Sequence, residues 1–263
     1  MTGALPKLGF AGIGLMGAPM TARLIDAGYG VTVWNRTRAK IEPLLGKGAT
    51  EAAGPAEVTE RSEIVLICLT DADAAEAVVF GAGGISEAAA ADKLLVDFSS
   101  IRPDRARAMA ERLRGETGMG WIDAPVSGGV RGAEDGTLAI LAGGAAEEID
   151  RVRPVLATLS QRVTHMGPSG AGQVTKLCNQ VIVGSAIATI AEAVRLAEAS
   201  GVDATMLAEA LAGGFADSQP LQIFAPRFAG RVTEPLLGHV YTMLKDLDAA
   251  RDLGAANLAP LPM

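Results

Sequence analysis

Four stretches of this chain hold residue types that can do chemistry. In the first, Gly12-Ile13-Gly14-Leu15-Met16-Gly17 separates a short apolar run from a helix-like one. Gly12 permits a tight turn, Gly14 lets a pyrophosphate come close to the backbone, and Gly17 lets the helix pack against a sheet. The helix start then offers its N–H groups to phosphates, which makes Gly12, Gly14, Leu15, Met16 and Gly17 a candidate dinucleotide cradle. The second stretch lies about 20 residues on, where an NAD site expects an acidic residue for the ribose 2′-hydroxyl. Here the sequence has Asn35-Arg36-Thr37-Arg38, with Lys40 beyond and no carboxylate. Arg36 can pair with a 2′-phosphate while Asn35 and Thr37 donate hydrogen bonds, which favours NADP and leaves NAD as the alternative cofactor. A solvated basic loop is the competing reading of the same residues.

The third stretch is Asp123-Ala-Pro125-Val-Ser127-Gly128-Gly129. Ser127 offers a hydroxyl and the two glycines accessible N–H groups, a nest for a substrate carboxylate. The fourth places Lys176, Asn179 and Gln180 at i, i+3 and i+4, on one face of an apolar helix. A buried lysine loses basicity, which suits proton transfer; a lysine snorkelling along a helix flank fits the same pattern. Further on, Lys245-Asp246 is an ion pair in an apolar setting, and a surface pair accounts for it equally well. No Cys/His spacing suits a metal, and with only His165 and His239 in the chain, histidine catalysis has few candidates.

These stretches need elements to hold them. Apolar runs at Leu8–Ala11, Val31–Trp34, Ile64–Leu69, Leu94–Phe98, Gly120–Asp123 and Leu138–Leu141 alternate with helical patterns at Ala18–Ala27, Arg38–Leu45, Ala72–Phe80, Pro103–Arg114 and Ala146–Thr158. Such alternation predicts an α/β Rossmann-type fold, a doubly wound, mostly parallel sheet. From Gly172 to Ser200 the pattern becomes one long helix, apolar nearly all round and therefore expected to be buried. Helices at Ala204–Leu211, Leu221–Phe228 and Tyr241–Ala256 follow. The predicted domains are residues 1–166, binding the dinucleotide, and 167–263, an all-helical substrate and dimerisation domain.

Composition narrows the class. Of 263 residues, 49% are hydrophobic and 20% charged, enough for a core and against disorder. A net charge of −7 argues against nucleic acid. Cys68 and Cys178 read as reduced core thiols rather than a disulfide framework. No secretory signal opens the chain, and the fifteen uncharged residues Leu177–Ala191 are short and polar for a membrane span. A cytoplasmic protein without a membrane partner is expected.

Taken together, G-F-A-G-I-G-L-M-G-A-P-M, D-A-P-V-S-G-G with E-D-G-T-L, G-A-G-Q-V-T-K-L-C-N-Q and the late K-D-L resemble the β-hydroxyacid dehydrogenase family, in order and over nearly the whole chain. That family includes 3-hydroxyisobutyrate dehydrogenases and tartronate, glyoxylate and succinic semialdehyde reductases. The resemblance implies hydride transfer between a nicotinamide cofactor and a short 3-hydroxy acid or its semialdehyde. It casts Lys176 as general acid/base and Ser127, Gly128 and Gly129 as the carboxylate loop. Asn179 becomes a substrate-positioning residue, and Lys245 and Asp246 a cofactor and active-site edge. Leu69 and Thr70 would border the cofactor, and Ser100 would stand beside the nicotinamide. A homodimer or homotetramer packed through the long helix is also implied. Two departures stand out. Members continue for another helix beyond L-P-L, so the helical domain is expected to lack its last helix. The aromatic residue seven positions before the K-D-L lysine is replaced by Gly238, with His239 and Tyr241 nearby. The alternatives are a relative reducing another carbonyl or an imine, and a non-catalytic NADP-binding protein.

Overall fold

The computed structural model describes residues 4–235, 237 and 240–261. Contacts within the chain divide it into two compact units, residues 1–176 and 177–263.

The first unit is built on a sheet with nine strands among the described residues: β1 Leu8–Ala11, β2 Val31–Trp34, β3 Thr50–Glu51, β4 Ile64–Ile67, β5 Leu94–Asp97, β6 Gly120–Asp123, β7 Val126–Ser127, β8 Leu138–Gly143 and β9 Ser160–Gly167. Their order is β3-β2-β1-β4-β5-β6-β8-β7, with β9 pairing β8. All pairings from β3 through β6 are parallel; β8 runs antiparallel to β6 and β7 and parallel to β9. Alternation along β4 shows why these strands are apolar throughout. Ile64 and Leu66 face one core with Phe10, Val96 and Ile122, while Val65 and Ile67 face a second with Leu95 and Trp121. The β1, β2, β4, β5 and β6 carboxyl ends share one edge, the place where open α/β sheets bind ligands.

Helix Ala72–Phe80 appears over the predicted residues, its first turn capped by the Asp71 carboxylate, which accepts from the Ala74 N–H at 2.8 Å. The predicted Arg38–Leu45 helix is instead a 3₁₀ turn, Arg38–Lys40, followed by a four-residue helix, Glu42–Leu45, with Pro43 in its first turn.

The long helix spans Ala171–Ala199, and Lys176 and Leu177 on either side of the division belong to it. In the second unit, Ile190 and Val194 pack with Ala204, Ala208, Leu221 and Ala225 from the short helices that follow. Burial all round does not hold for the long helix. Ile182 and Leu196 are each 69% exposed, because the elements of this chain cover only part of it. Cys178, expected in the core, is exposed for the same reason; Cys68 has its thiol inside, where burial pushes its pKa up to about 12. The helix is also long and apolar enough to cross a membrane by length and composition, with a mean hydropathy of 1.5 over eighteen residues and 22% of that stretch buried.

Candidate functional site

The glycine-rich loop leaves β1 at the carboxyl edge. Gly12 has a φ of +99°, open to glycine, and a Cβ there would press on the Cys68 carbonyl. A Cβ on Gly17 would strike the Gly12 carbonyl oxygen, so the helix Gly17–Asp26 can start this close to the strand only with glycine. Gly14 is different: among the described residues, nothing beyond its own chain neighbours lies within 4 Å of where its Cβ would be. Its backbone is open on that side, and the first intrahelical donor, Ala18 N–H to the Gly14 carbonyl, leaves the N–H groups of Leu15 to Gly17 at the helix mouth. This is a cradle into which a pyrophosphate fits.

At the end of β2 the basic residues divide their work. Arg38 is held by Glu51 at 2.8 and 2.9 Å and by Glu42 at 3.2 Å; the Glu51 hydrogen bonds and charge raise its pKa further. Arg36 is exposed and makes no hydrogen bond or ion pair among the described residues, which leaves its guanidinium available to an anion. Asn35 is engaged by backbone groups on two sides. Its Oδ1 accepts from the Ile13 N–H at 2.9 Å and its Nδ2 donates to the Thr37 carbonyl at 2.9 Å, tying the glycine loop to the β2 end.

The β4 and β5 ends carry Leu69, Thr70 and Ser100. Leu69 N–H donates to Ser99 Oγ at 2.9 Å, and the Thr70 hydroxyl donates to Asp71 at 3.0 Å. Ser127 lies in β7 opposite Ala139, followed by Gly128 and Gly129 with φ of +129° and +63°, both exposed. Among the described residues, nothing beyond its chain neighbours and its own helix backbone lies within 4 Å of where a Gly129 Cβ would be.

Reading from sequence missed the polar cluster beneath these residues. Asp97 and Asp123 end adjacent strands in register, both fully buried. Asp97 Oδ1 accepts from the Ser99 N–H at 2.8 Å while Oδ2 has no hydrogen-bond partner among the described residues. Burial is the main cause that pushes Asp97 up to about 7, with the Asp123 charge adding to it. Burial also raises Asp123, although the N–H groups of Gly170 and Gln173 pull it back. A carboxylate closing an otherwise apolar strand (L-L-V-D and W-I-D) was the available signal.

Lys176 is 9% exposed, on the first turns of the long helix. In the second unit, Asn179 Nδ2 donates to Gln180 Oε1 at 2.9 Å, and Gln180 Nε2 donates to Asp246 Oδ2 at 2.8 Å. Lys245 stands 3.4 Å from Asp246 Oδ1. The Asp246 carboxylate, buried, is thus engaged by Gln180 and Lys245, and Lys245 is the more exposed of the pair. Gly238 and His239 lie outside the described residues.

Comparison with known proteins gives the family. Residues 7–167 match the NAD-binding domain of 6-phosphogluconate dehydrogenase, and residues 170–263 match the NAD-binding domain of NADP-dependent 3-hydroxyisobutyrate dehydrogenase. The chain belongs to the β-hydroxyacid dehydrogenase family. It is an NAD(P)-dependent oxidoreductase of the class acting on hydroxyl and carbonyl groups. Among other members, the 2-hydroxy-3-oxopropionate reductase of Escherichia coli is 37% identical over 256 residues, covering 97% of this chain and 87% of its own. The 3-hydroxyisobutyrate dehydrogenase of Pseudomonas aeruginosa is 36% identical over 222 residues, covering 84% and 74%. The 3-hydroxyisobutyrate dehydrogenase of Mycobacterium tuberculosis, in a structure with L-serine, has a TM-score of 0.86 at 30% identity, covering 98% of this chain and 90% of its own.

Proposed function

We propose that this family member is an NADP-preferring oxidoreductase that interconverts a short 3-hydroxy acid and its semialdehyde, with Lys176 as general acid/base. The observation that carries the reading is Lys176 itself, an ammonium-bearing side chain 9% exposed on the helix that opens just past the sheet's carboxyl edge. Keeping a lysine that far from water is costly unless the charge is paired or used, and a place on the helix start beside the sheet's carboxyl edge supports use. NADPH, when bound, supplies the hydride to the carbonyl carbon. As negative charge builds on the carbonyl oxygen, the Lys176 ammonium stabilises it and delivers a proton; in the oxidation direction the neutral amine takes the proton back. Catalysis of this kind contributes about 10²–10⁴-fold. Ser127, Gly128 and Gly129 hold the substrate carboxylate, Asn179 and Lys245 complete its orientation, and Arg36 with Thr37 receives the 2′-phosphate. Asn35 and Asp246 enter as holders, of the glycine loop and of Lys245 respectively.

Ile182, Leu196, Leu211 and Phe215 are apolar and exposed. They support a homodimer or homotetramer that covers the long helix, in preference to a bilayer, and the net charge of −7 supports a small-molecule substrate over nucleic acid. Light scattering after gel filtration tests the oligomer, and cell fractionation tests it against a bilayer. The chemistry is tested by following NADPH and NADH absorbance with a panel of short semialdehydes, wild type beside Lys176→Ala. NADPH-preferring turnover lost in the variant, with cofactor binding kept, is the expected result. Near-normal kcat in Lys176→Ala refutes the assignment.

A further inference from the structure

Between the carboxyl edge of the sheet and the first turn of the long helix runs a continuous chain of buried hydrogen bonds. Asp123 Oδ1 accepts from the Gly170 N–H at 2.7 Å, and its Oδ2 accepts from the Gln173 N–H at 3.0 Å. The carboxylate at the end of β6 therefore caps a helix that begins nearly fifty residues later, satisfying N–H groups that a helix start leaves open. The Gln173 side chain then reaches back to the neighbouring strand end. Its Nε2 donates to the Ser99 carbonyl at 2.8 Å, and its Oε1 accepts from the Ile101 N–H at 3.1 Å. Ser99 in turn accepts from Leu69 through its hydroxyl and donates to Asp97 through its N–H. Gln173 and Ser99 are each 1% exposed. Glycine is needed where these groups meet, since a Cβ on Gly143 or Gly172 would fall within 2.8 Å of the Asp123 carboxylate.

We infer that Asp123 and Gln173 are positioning residues for the reaction: they lock the helical turn bearing Lys176 to the Ser99–Ile101 strand end. Lys176 lies three residues beyond Gln173, nearly one helical turn, so a side chain that fixes the Gln173 backbone fixes the base of the lysine as well. The amide of Gln173 bridges two backbone groups of the segment containing Ser100. A change that loosens it therefore shifts the lysine against that segment without removing any group that touches substrate. The inference rests on Lys176 being the general acid/base.

The test is Gln173→Glu beside Gln173→Met, each also in the Lys176→Ala background. A protonated carboxyl reproduces the glutamine, donating O–H to the Ser99 carbonyl and accepting from the Ile101 N–H. An ionised one sets an oxygen against the carbonyl. Asp97 and Asp123 at the strand ends and burial raise the pKa of the introduced carboxyl, against the charges of Lys176 along the helix and Arg107 beside Gly170. The expected result for Gln173→Glu is a kcat within about twofold of wild type at the acid end of the range, falling about ten- to a hundredfold below it at the alkaline end, as a displacement near 1 Å would produce. Gln173→Met is expected to lose a similar factor at every pH, with NADPH affinity by fluorescence held within about twofold. Neither loss should persist in the Lys176→Ala background. Wild-type kcat in both glutamine variants while Lys176→Ala is inactive overturns the inference alone, as does a full additional loss on top of Lys176→Ala. Thermal midpoints are taken alongside. A Gln173→Met variant whose kcat per folded molecule is unchanged counts against the inference, and a fully active Lys176→Ala removes both the inference and the reading beneath it.

Discussion

Replacing Asp97 by Asn should flatten the pH dependence of the sheet unit's stability. Asp97 is fully buried, its Oδ2 has no partner among the described residues, and burial lifts its pKa from 3.8 to about 7. The folded state then holds a proton that the unfolded chain has released. Stability contributed by the protonated form is fully present below the unfolded pKa and is lost as pH rises through the folded one. At about 1.36 kcal/mol per unit, the three-unit displacement corresponds to about 4 kcal/mol lost between roughly pH 4 and pH 7. Asp123, in register beside it and also raised, shares that titration, so the loss belongs to the pair. Asn cannot ionise. Burying its amide at this position adds a constant offset of about 1–3 kcal/mol that leaves the slope untouched. The chain's two tryptophans, Trp34 and Trp121, both lie in this unit, so tryptophan fluorescence during urea unfolding reports it selectively. Wild type should lose stability from acid to neutral pH while Asp97→Asn changes much less. Equal slopes in the two proteins would refute the reasoning.

Three more outcomes are expected. Arg36→Ala should weaken NADPH by about ten- to a hundredfold, the worth of a charge-assisted hydrogen bond, and leave NADH nearly unchanged in fluorescence titrations. Asn35→Ala leaves the Ile13 N–H without its acceptor and unties the glycine loop, so it should cost about 1–3 kcal/mol in urea unfolding and weaken both cofactors alike. Gly17→Ala drives a methyl group into the Gly12 carbonyl, and about 1–3 kcal/mol of stability together with cofactor binding should go with it, measured by thermal unfolding with and without NADPH.

The legible parts of the fold were those written in unbroken local patterns. Strands doubly covered by helices, such as Ile64–Ile67, are continuous apolar runs, and Asp71 ahead of Ala72–Phe80 marks a helix start within four residues. What escaped lacks a local period. Thr50–Glu51 and Val126–Ser127 are two residues each, and Ser160–Gly167 pairs along one side only, so its polar outward residues hide the strand. The long helix was expected to be buried, and this chain leaves part of its apolar face open, because composition reports what a surface is made of, not what the same chain can lay on it. The glycine loop and the basic β2 end could be placed at strand ends because each is a contiguous motif. The Asp123–Gln173 clamp could not, since fifty residues separate its halves.

The Asn35 latch has a consequence for changing which nucleotide this protein prefers. The β2 end is the natural place to graft an acidic residue for an unphosphorylated ribose, but position 35 is already a strut between two loops. An aspartate there keeps the tie to Ile13 and gives up the one to Thr37, so altered selectivity arrives with a slackened phosphate loop. Thr37 supplies only its carbonyl to this strut, so its side chain can be exchanged without cutting it. A path from one nucleotide to the other therefore runs through positions 36 and 37 before 35, and variants that start at 35 pay in affinity for both.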